Sequence, residues 1–236
     1  MLIKFVILIF FHIFSVHSND KNINEKQIKN IIEKYILENP EIIIESLEKF
    51  TANQKEKEKK SFVNILNNFY ESKVYESLPR IGNKDSNIII VEFVDYNCGY
   101  CKKTLPTIAK LMKNFDNIQI VFIDYPILSE TSEMAARASL AANEQNVYFE
   151  YHSVLLNNKK SINEDTLYKI AKELSLDIEK FKKDMSSEKI KNNIIKNIKF
   201  ANSLKIRGTP TFIIGKQILP GAYDYEKLKK IILENS

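Results

Sequence analysis

The sequence of 236 residues contains two cysteines, Cys98 and Cys101, separated by two residues. They follow an apolar run of strand length and open a stretch with helical periodicity, which predicts a strand-to-helix junction. At a helix N-terminus, unpaired N–H groups and the helix dipole stabilise a thiolate and lower its pKa. Cys98 is therefore the predicted nucleophile. Cys101, one turn further on, is predicted to lie on the same face and to be less exposed, as suits a thiol that resolves a mixed disulfide formed at Cys98.

A metal site is the main alternative use of such a cysteine pair. A structural zinc site needs about four protein ligands, and the chain has no second cysteine pair. His152 is the one histidine after residue 18, and we interpret it as a packed helix residue rather than a catalytic base. We therefore expect no metal, no cofactor, and redox chemistry at the cysteines.

Charge and composition narrow the function classes further. The formal net charge is +5, with acidic and basic residues mixed and no concentrated arginine patch, which argues against nucleic-acid binding. The length and an apolar content of 44% suit one domain with an accessory segment.

Residues 1–18 have the pattern of a signal peptide. Lys4 supplies a basic start, Phe5–Phe14 an apolar stretch, and Val16–Ser18 an acceptable cleavage site. A retained membrane anchor is the alternative, but the apolar run is short for a span of roughly 20 residues. Export leads to oxidising compartments, where disulfides persist. Because one pair so close in sequence cannot staple a fold, its predicted role is chemical.

Residues 19–77 are predicted to form an N-terminal helical arm. Two helical patterns are separated at Asn39-Pro40, since proline disfavours helix at the residue before it. The apolar stripe of the arm needs a covering surface; packing on the chain's own domain and self-association both stay open, and we favour self-association. The charged run over residues 55–60 is interpreted as a solvated helix face. The stripe consists of Ile28, Ile31, Ile32, Tyr35, Ile36, Ile43, Ile44, Leu47 and Phe50.

Ile88–Val94 is a near-continuous apolar run that predicts a strand buried on both faces. Glu92 interrupts it, and a lone carboxylate is costly to bury unless it is protonated, paired or used. Two interpretations stay open: an edge-facing salt bridge, or a proton relay for the buried thiol of Cys101. A helix over residues 98–114 and a strand over Ile118–Asp124 complete a strand-helix-strand unit with a parallel pair.

The remainder of the chain is predicted to close the same domain. The pattern is helical from about residue 129 to 204, which is too long for a simple crossover and indicates a helical insertion. Two short strands joined at Gly215-Lys216 and a helix from Tyr223 to about Glu234 follow. Pro210 stands directly before the first of these strands, so a cis Thr209-Pro210 bond is predicted. Residues 79–87 have turn chemistry and mark the start of the domain.

Three separated features match one known pattern: strand-Cys-X-X-Cys-helix, the helical insertion, and Gly-Thr-Pro-Thr-Phe before a closing hairpin and helix. Together they resemble the thioredoxin fold as elaborated in the DsbA-like thiol-disulfide oxidoreductases of bacterial envelopes. The resemblance covers residues 78–236. It implies an α/β, thioredoxin-like fold with a large helical insertion, to which the N-terminal helical arm is added.

The resemblance also implies a role for individual residues. Cys98 matches the nucleophile, Cys101 the resolving thiol, Gly99-Tyr100 the tuning dipeptide, and Glu92 the buried acid of the family. The family's cis-proline loop lies against the active-site disulfide and pairs with an incoming peptide; it falls on Thr209 and Pro210.

Departures from the family pattern bear on the subclass. The strongly oxidising members carry Pro-His between the cysteines, whereas Gly99-Tyr100, together with Thr209 before the proline, is more similar to isomerase-type relatives. Asn97 stands where thioredoxins often have an aromatic residue. Residues 35–45 resemble the N-terminal arm of DsbA-like proteins that trimerise and shuffle disulfides.

The resemblance implies an exported, periplasmic or envelope protein-disulfide oxidoreductase that forms or rearranges disulfides. Oxidase and isomerase or reductase directions both stay open. The implied partners are cysteine-containing exported proteins, a membrane redox partner that resets the cysteine pair, and further copies of the chain through the arm. A binding module or surface antigen with inert cysteines is the non-enzymatic alternative, and the helix-start position of Cys98 argues against it.

Overall fold

The computed structural model describes residues 24–235. The chain divides into two compact units, with the boundary in sequence between Lys57 and Glu58. The predicted signal peptide, residues 1–18, lies outside the described residues. Within residues 24–235, no helix combines the length and apolarity that a membrane span requires.

The first unit is helical, as the sequence predicts. Helix α1 (Glu25–Glu38) begins at Asn24, whose side chain accepts a hydrogen bond from the N–H of Gln27 while the Gln27 side chain returns one to the N–H of Asn24. After Asn39-Pro40, helix α2 (Glu41–Tyr70) runs for 30 residues. Apart from Ile36, which is half-buried, the apolar stripe is exposed along both helices, at Ile28, Ile31, Ile32, Tyr35, Ile43, Ile44, Leu47 and Phe50.

The second unit contains the last part of α2. Leu66 and Phe69 are buried, and the ring of Phe69 stacks on that of Phe200 with centroids 3.7 Å apart. The sequence expectation began this domain at residue 78; the compact unit reaches back to Glu58 because these apolar side chains pack in its core.

A five-stranded sheet in the order β1-β3-β2-β4-β5 forms the centre of this unit. Its strands are β1 (Arg80–Gly82), β2 (Ile89–Val94), β3 (Gln119–Asp124), β4 (Thr211–Ile214) and β5 (Gln217–Pro220). Strands β2 and β3 are parallel, as predicted, and every other neighbouring pair is antiparallel. The short helix α3 (Lys73–Glu76) precedes the sheet, and α4 (Gly99–Asn114) connects β2 to β3.

Strand β1 corrects the sequence analysis, which expected only a turn over residues 79–87. Arg80–Gly82 pair with Gln119–Val121 at the open edge of β3. The Arg80 guanidinium anchors the segment by donating to the carbonyl oxygen of Tyr75 and lying over the Tyr75 ring. Three residues are too few to show strand periodicity, so the local pattern could not predict this strand.

The predicted helical insertion is confirmed between β3 and β4 as five helices, and α10 (Tyr225–Glu234) closes the chain. Because strand residues alternate between faces, Ile90 and Val94 contribute to the core under the insertion, while Val91 and Phe93 contribute to the opposite core beside α2. Both cysteines belong to the first of these cores. The helices of the insertion are α5 (Glu130–Asn143), α6 (Tyr148–Asn157), α7 (Glu164–Glu173), α8 (Ile178–Met185) and α9 (Glu188–Ser203).

Candidate active site

Cys98 occupies the N-cap position of α4, as the sequence predicts. Its backbone is extended, with φ −78° and ψ 112°, and its N–H donates to the carbonyl oxygen of Asp95 at 3.0 Å. The preceding residues form a turn because β2 ends at Val94 and the chain must reverse onto the sheet face. We call residues Asp95–Cys98 the catalytic turn. It leaves Cys98 7% exposed, with Tyr100 beside it 62% exposed.

The two thiols differ strongly in acidity. The pKa of Cys98 is lowered to about 5, chiefly because the Cys101 thiol donates a hydrogen bond to its sulfur. The backbone N–H groups of Cys101 and Tyr100 lower it further, against the opposing effect of burial. Burial raises the pKa of Cys101, which is fully buried, and its hydrogen bond to Cys98 raises it further. At neutral pH the pair therefore carries one thiolate, at Cys98, and one protonated thiol, at Cys101.

The loop before β4 faces this thiol. The Thr209-Pro210 peptide bond is cis, as predicted, and Cys98 Sγ lies 3.0 Å from the carbonyl oxygen of Thr209. Two hydrogen bonds fix the loop. Thr211 Oγ1 donates to the carbonyl oxygen of Gly208 at 2.7 Å, and the N–H of Gly221 donates to the carbonyl oxygen of Pro210 at 2.8 Å. The nucleophile and the cis-proline loop are thus neighbours although 111 residues separate them.

Glu92 lies beneath the thiols in the interior strand β2, between Phe122 of β3 and Phe212 of β4. Its side chain is buried, and Oε1 accepts a hydrogen bond from Thr104 Oγ1 at 2.9 Å. Its Oε2 has no hydrogen-bond partner within residues 24–235. The edge-facing salt bridge considered above is therefore wrong, because β2 is not an edge strand and burial excludes a solvated ion pair.

The charge state of Glu92 follows from this environment. Burial raises its pKa to about 8, although the hydrogen bond from Thr104 opposes the shift. Its negative charge in turn raises the pKa of Cys101. Since Thr104 Oγ1 also lies 2.8 Å from the carbonyl oxygen of Cys101, the carboxyl is next to the turn of α4 that carries the resolving thiol. A neutral carboxyl at pH 7 can exchange a proton there.

Sequence reasoning missed a second buried acid, Asp124 at the end of β3. Burial raises its pKa to about 7, against hydrogen bonds from Tyr96 and Tyr148 that lower it. Tyr148 Oη lies 3.2 Å from Asp124 Oδ1, and Tyr96 Oη is 3.3 Å from Tyr148 Oη and 3.0 Å from His152 Nδ1. The only sequence signal was a polar residue at the end of an apolar strand.

His152 is buried in α6, as the sequence analysis interpreted it, and burial lowers its pKa to about 3. The ring is therefore neutral at physiological pH. Among residues 24–235, no group of three or more histidine, cysteine, aspartate or glutamate side chains is placed to hold a metal ion.

Comparison with known proteins agrees with this geometry. Residues 89–233 match the DSBA-like thioredoxin domain, and residues 25–57 match the N-terminal domain of the copper resistance protein ScsC. The chain is 30% identical to a probable disulfide bond formation protein D of Bacillus cereus over 172 residues, which are 67% of this chain and 78% of that protein.

Solved structures show the same fold. The thiol-disulfide exchange protein alpha-DsbA2 of Wolbachia pipientis is 28% identical, with a TM-score of 0.70 over 78% of this chain and 98% of that one. The catalytic domain of Proteus mirabilis ScsC is 26% identical, with a TM-score of 0.66 over 75% and 97%.

Other curated relatives are much longer proteins. The chain spans 24% of the length of an Na(+)/H(+) antiporter NhaA 3 of Salinispora tropica, with 26% identity over 154 residues. The similarity to such proteins is confined to one portion of them. The match over residues 89–233 covers more than half of this sequence, and the chain belongs to the DSBA-like thioredoxin domain family.

Proposed function

We propose that this chain is an exported protein thiol-disulfide oxidoreductase that works through Cys98 and Cys101. The observation that carries the proposal is the low-pKa thiol of Cys98, which lies at a helix start, accepts a hydrogen bond from a protonated partner thiol, and faces a cis-proline loop. Inert structural cysteines lack this asymmetry, because a thiol in an apolar core has its pKa raised rather than lowered.

In the oxidase direction the cycle starts from a Cys98–Cys101 disulfide. A client thiolate attacks the Cys98 sulfur, the Cys98–Cys101 bond breaks, and the electron pair leaves on Cys101, which takes up a proton. A second client thiolate then attacks the client sulfur of the mixed disulfide and releases Cys98 as a thiolate. The client loses two electrons and the pair gains them, so an external oxidant must reset the pair.

In the isomerase or reductase direction the cycle starts from the dithiol. The Cys98 thiolate attacks a client disulfide and releases one client thiolate. In isomerisation that thiolate attacks another disulfide of the client and releases a second client thiolate. A thiolate released in this way attacks the client sulfur of the mixed disulfide and displaces Cys98 as a thiolate, with no net change in electrons. Cys101 supplies the escape: it attacks Cys98, closes the Cys98–Cys101 disulfide and leaves the client reduced.

Glu92 is proposed to serve the resolving thiol in both directions. Its pKa of about 8 keeps it mostly protonated at pH 7, so it can give a proton to Cys101 when that sulfur leaves. When Cys101 attacks, the ionised form of Glu92, about a tenth of the molecules at pH 7, takes the proton from the thiol. The Thr104 hydroxyl, which lies within hydrogen-bond distance of both Glu92 Oε1 and the carbonyl oxygen of Cys101, holds the carboxyl beside this turn.

Two observations favour different directions. Stabilisation of the Cys98 thiolate stabilises the dithiol form and makes the disulfide a stronger oxidant, which favours the oxidase. The exposed apolar stripe of the first unit, and the resemblance of residues 35–45 to the arm of DsbA-like proteins that trimerise and shuffle disulfides, favour an oligomeric isomerase, in which several sites face one client. We propose that the catalytic site works as an oxidase. We propose separately that the arm self-associates through residues 19–57.

The clients proposed are exported proteins with cysteines, and a membrane redox partner is proposed to reset the pair. Support for a periplasmic or envelope location comes from the signal-like residues 1–18 and from a relative of Salmonella enterica described as a periplasmic thioredoxin-like protein, 25% identical with a TM-score of 0.65.

The deciding experiment is the equilibrium reduction potential of Cys98–Cys101 in glutathione buffers, followed by assays on a reduced and on a scrambled test protein. Potentials of related proteins extend from about −270 mV to about −120 mV. A value near the upper end with rapid oxidation supports the oxidase. Recovery of the scrambled protein by the reduced pair supports the isomerase, for which a potential between these limits suffices, since protein disulfide isomerase lies at about −180 mV. No exchange in either assay contradicts the proposed function.

A further inference from the structure

The carboxylate of Asp95 lies between the catalytic turn and the segment that begins α5. Its side chain is 1% exposed, and each of its oxygens accepts two hydrogen bonds. Oδ1 accepts from the N–H of Asn97 at 2.8 Å and from the Ser132 hydroxyl at 2.7 Å. Oδ2 accepts from the N–H of Ile127 at 2.9 Å and from that of Leu128 at 3.0 Å. All four ordinary acceptor positions of the carboxylate are therefore occupied.

The same residue also holds the nucleophile through its backbone. Its carbonyl oxygen accepts the N–H of Cys98 at 3.0 Å. Asn97 adds a second link, because its Nδ2 lies 3.0 Å from Ser129 Oγ and 2.9 Å from Thr131 Oγ1 and Ser132 Oγ. The catalytic turn, which lies between β2 and α4, is thus tied to residues 127–132.

From these contacts we propose that Asp95 is a positioning residue, which holds Cys98 at the start of α4 and against Thr209 by tying the catalytic turn to residues 127–132. The inference deepens the proposed function, since it assumes that Cys98 is the nucleophile of the exchange. Asp95 itself acts through Cys98 and does not touch the client.

A positional role and a purely electrostatic role predict opposite effects on Cys98. A negative charge disfavours a nearby thiolate, so loss of the Asp95 charge alone would lower the pKa of Cys98. Displacement of Cys98 from the Cys101 thiol and from the backbone N–H groups of Cys101 and Tyr100 removes the hydrogen bonds that favour the thiolate, and raises the pKa. Asp95→Asn keeps the shape but replaces one acceptor oxygen with an NH₂ group, which then faces two donors in either orientation.

The titration of Cys98 can be read without interference. Burial raises the pKa of Glu92 to about 8 and that of Asp124, the other carboxyl that interacts with Asp95, to about 7, so both stay neutral while Cys98 titrates near 5. The raised pKa of Cys101 keeps that thiol protonated in the same range.

The test is the ultraviolet absorbance of the thiolate as a function of pH in the reduced full chain. We expect Asp95→Asn to raise the pKa of Cys98 by roughly half a unit to one unit, a loss of about three- to tenfold in thiolate at a pH below both values. Ser132→Ala keeps the charge of Asp95, removes one of its anchors to α5, and should raise the pKa by less. The matched control is Asp177→Ala, which removes the N-cap of α8 and leaves the turn untouched.

An unchanged or lowered pKa in Asp95→Asn overturns the proposal. Where that variant does not unfold cooperatively, Ser132→Ala decides, and an unchanged pKa there has the same meaning. The absorbance does not depend on disulfide exchange. If the wild-type protein neither oxidises nor shuffles a test protein, while the variants show the expected pKa shifts, the proposed function is contradicted and the positioning role of Asp95 is retained.

Discussion

The sulfur of Cys98 lies 3.0 Å from the carbonyl oxygen of Thr209. In sequence, Cys98 precedes the helical insertion and Thr209 follows it. Strands β2 and β4 pair directly and antiparallel, with Phe93 opposite Thr211. The C-terminal end of β2, which leads to Cys98, therefore lies next to the N-terminal end of β4, which follows Thr209. The contact places the loop with the cis Thr209-Pro210 bond directly beside the predicted nucleophile.

The two cysteines should respond differently to serine substitution. Cys98→Ser is expected to abolish exchange, because it removes the thiolate. Cys101→Ser should leave attack at Cys98 intact and accumulate a mixed disulfide with the client, visible on a non-reducing gel. Residual oxidation or shuffling by Cys98→Ser would contradict the assigned nucleophile.

Replacement of Cys101 by alanine should raise the pKa of Cys98 by about one unit or more, because the Cys101 thiol is the largest cause of the low value of about 5. Alkylation rates between pH 4 and 9 measure this, since the rate follows the thiolate fraction. Wild type should reach its plateau at lower pH than the variant. Tyr100→Phe, which changes an exposed ring edge beside the thiol but not the hydrogen bonds to it, is the control; coincident profiles for wild type and Cys101→Ala would refute the cause assigned here.

Glu92 should make the stability of the oxidised protein depend on pH. Its pKa of about 8 in the folded state exceeds the ordinary value of 4.5, so the fold favours the neutral carboxyl. This contribution is complete below about pH 4.5 and is lost as the pH rises through 8. Urea unfolding should show a fall of roughly 5 kcal/mol across that window, reduced in Glu92→Gln.

The disulfide form is used for this measurement because Cys98 does not titrate in it. Asp124, with a pKa of about 7, contributes a loss of the same sign that ends at lower pH, and Asp124→Asn separates the two. Glu226→Gln, at an exposed position of α10, is the control. Equal pH dependence in wild type and Glu92→Gln would mean that Glu92 is charged at neutral pH.

Two truncations should separate the arm from the catalytic unit. Deletion of residues 19–57 is expected to leave redox chemistry at Cys98 intact and to abolish self-association, measured by sedimentation. Deletion of residues 19–75 also removes Leu66 and Phe69 and should destabilise the domain, since each buried side chain contributes roughly 1.5–3 kcal/mol. A monomeric full-length protein would eliminate the self-association role.

Local patterns predicted much of this protein. Apolar periodicity located β2, β3, the two arm helices and the insertion, because burial repeats every two residues in a strand and about every 3.6 in a helix. The site could also be predicted from local sequence, from the spacing of Cys98 and Cys101 and the position of Pro210. A helix start and a proline each constrain the backbone within a few residues.

Long-range contacts decided the remainder. Strand β1 forms only because the edge of β3 is open to it, and α2 belongs partly to the catalytic unit because Phe69 meets Phe200. From the sequence, Glu92 could be either part of an edge-facing salt bridge or a buried acid. Because β2 is an interior strand, Glu92 is a buried acid. Asp95 and Asp124 gave almost no signal, since the side-chain hydrogen bonds that bury them, apart from the one between Asp95 and the N–H of Asn97, come from residues 24 to 37 positions away.

The sequence by itself therefore determined which atoms can react: two thiols at a helix start and a proline before a strand. The tertiary structure decided how acidic those atoms are. Acidity depends on desolvation and on hydrogen-bond partners. For Glu92 and Asp124, burial by packing across the sheet and the insertion raises the pKa. For Cys98 the largest cause is the thiol of Cys101, which the first turn of α4 brings to it, while its burial comes from the packing of the domain.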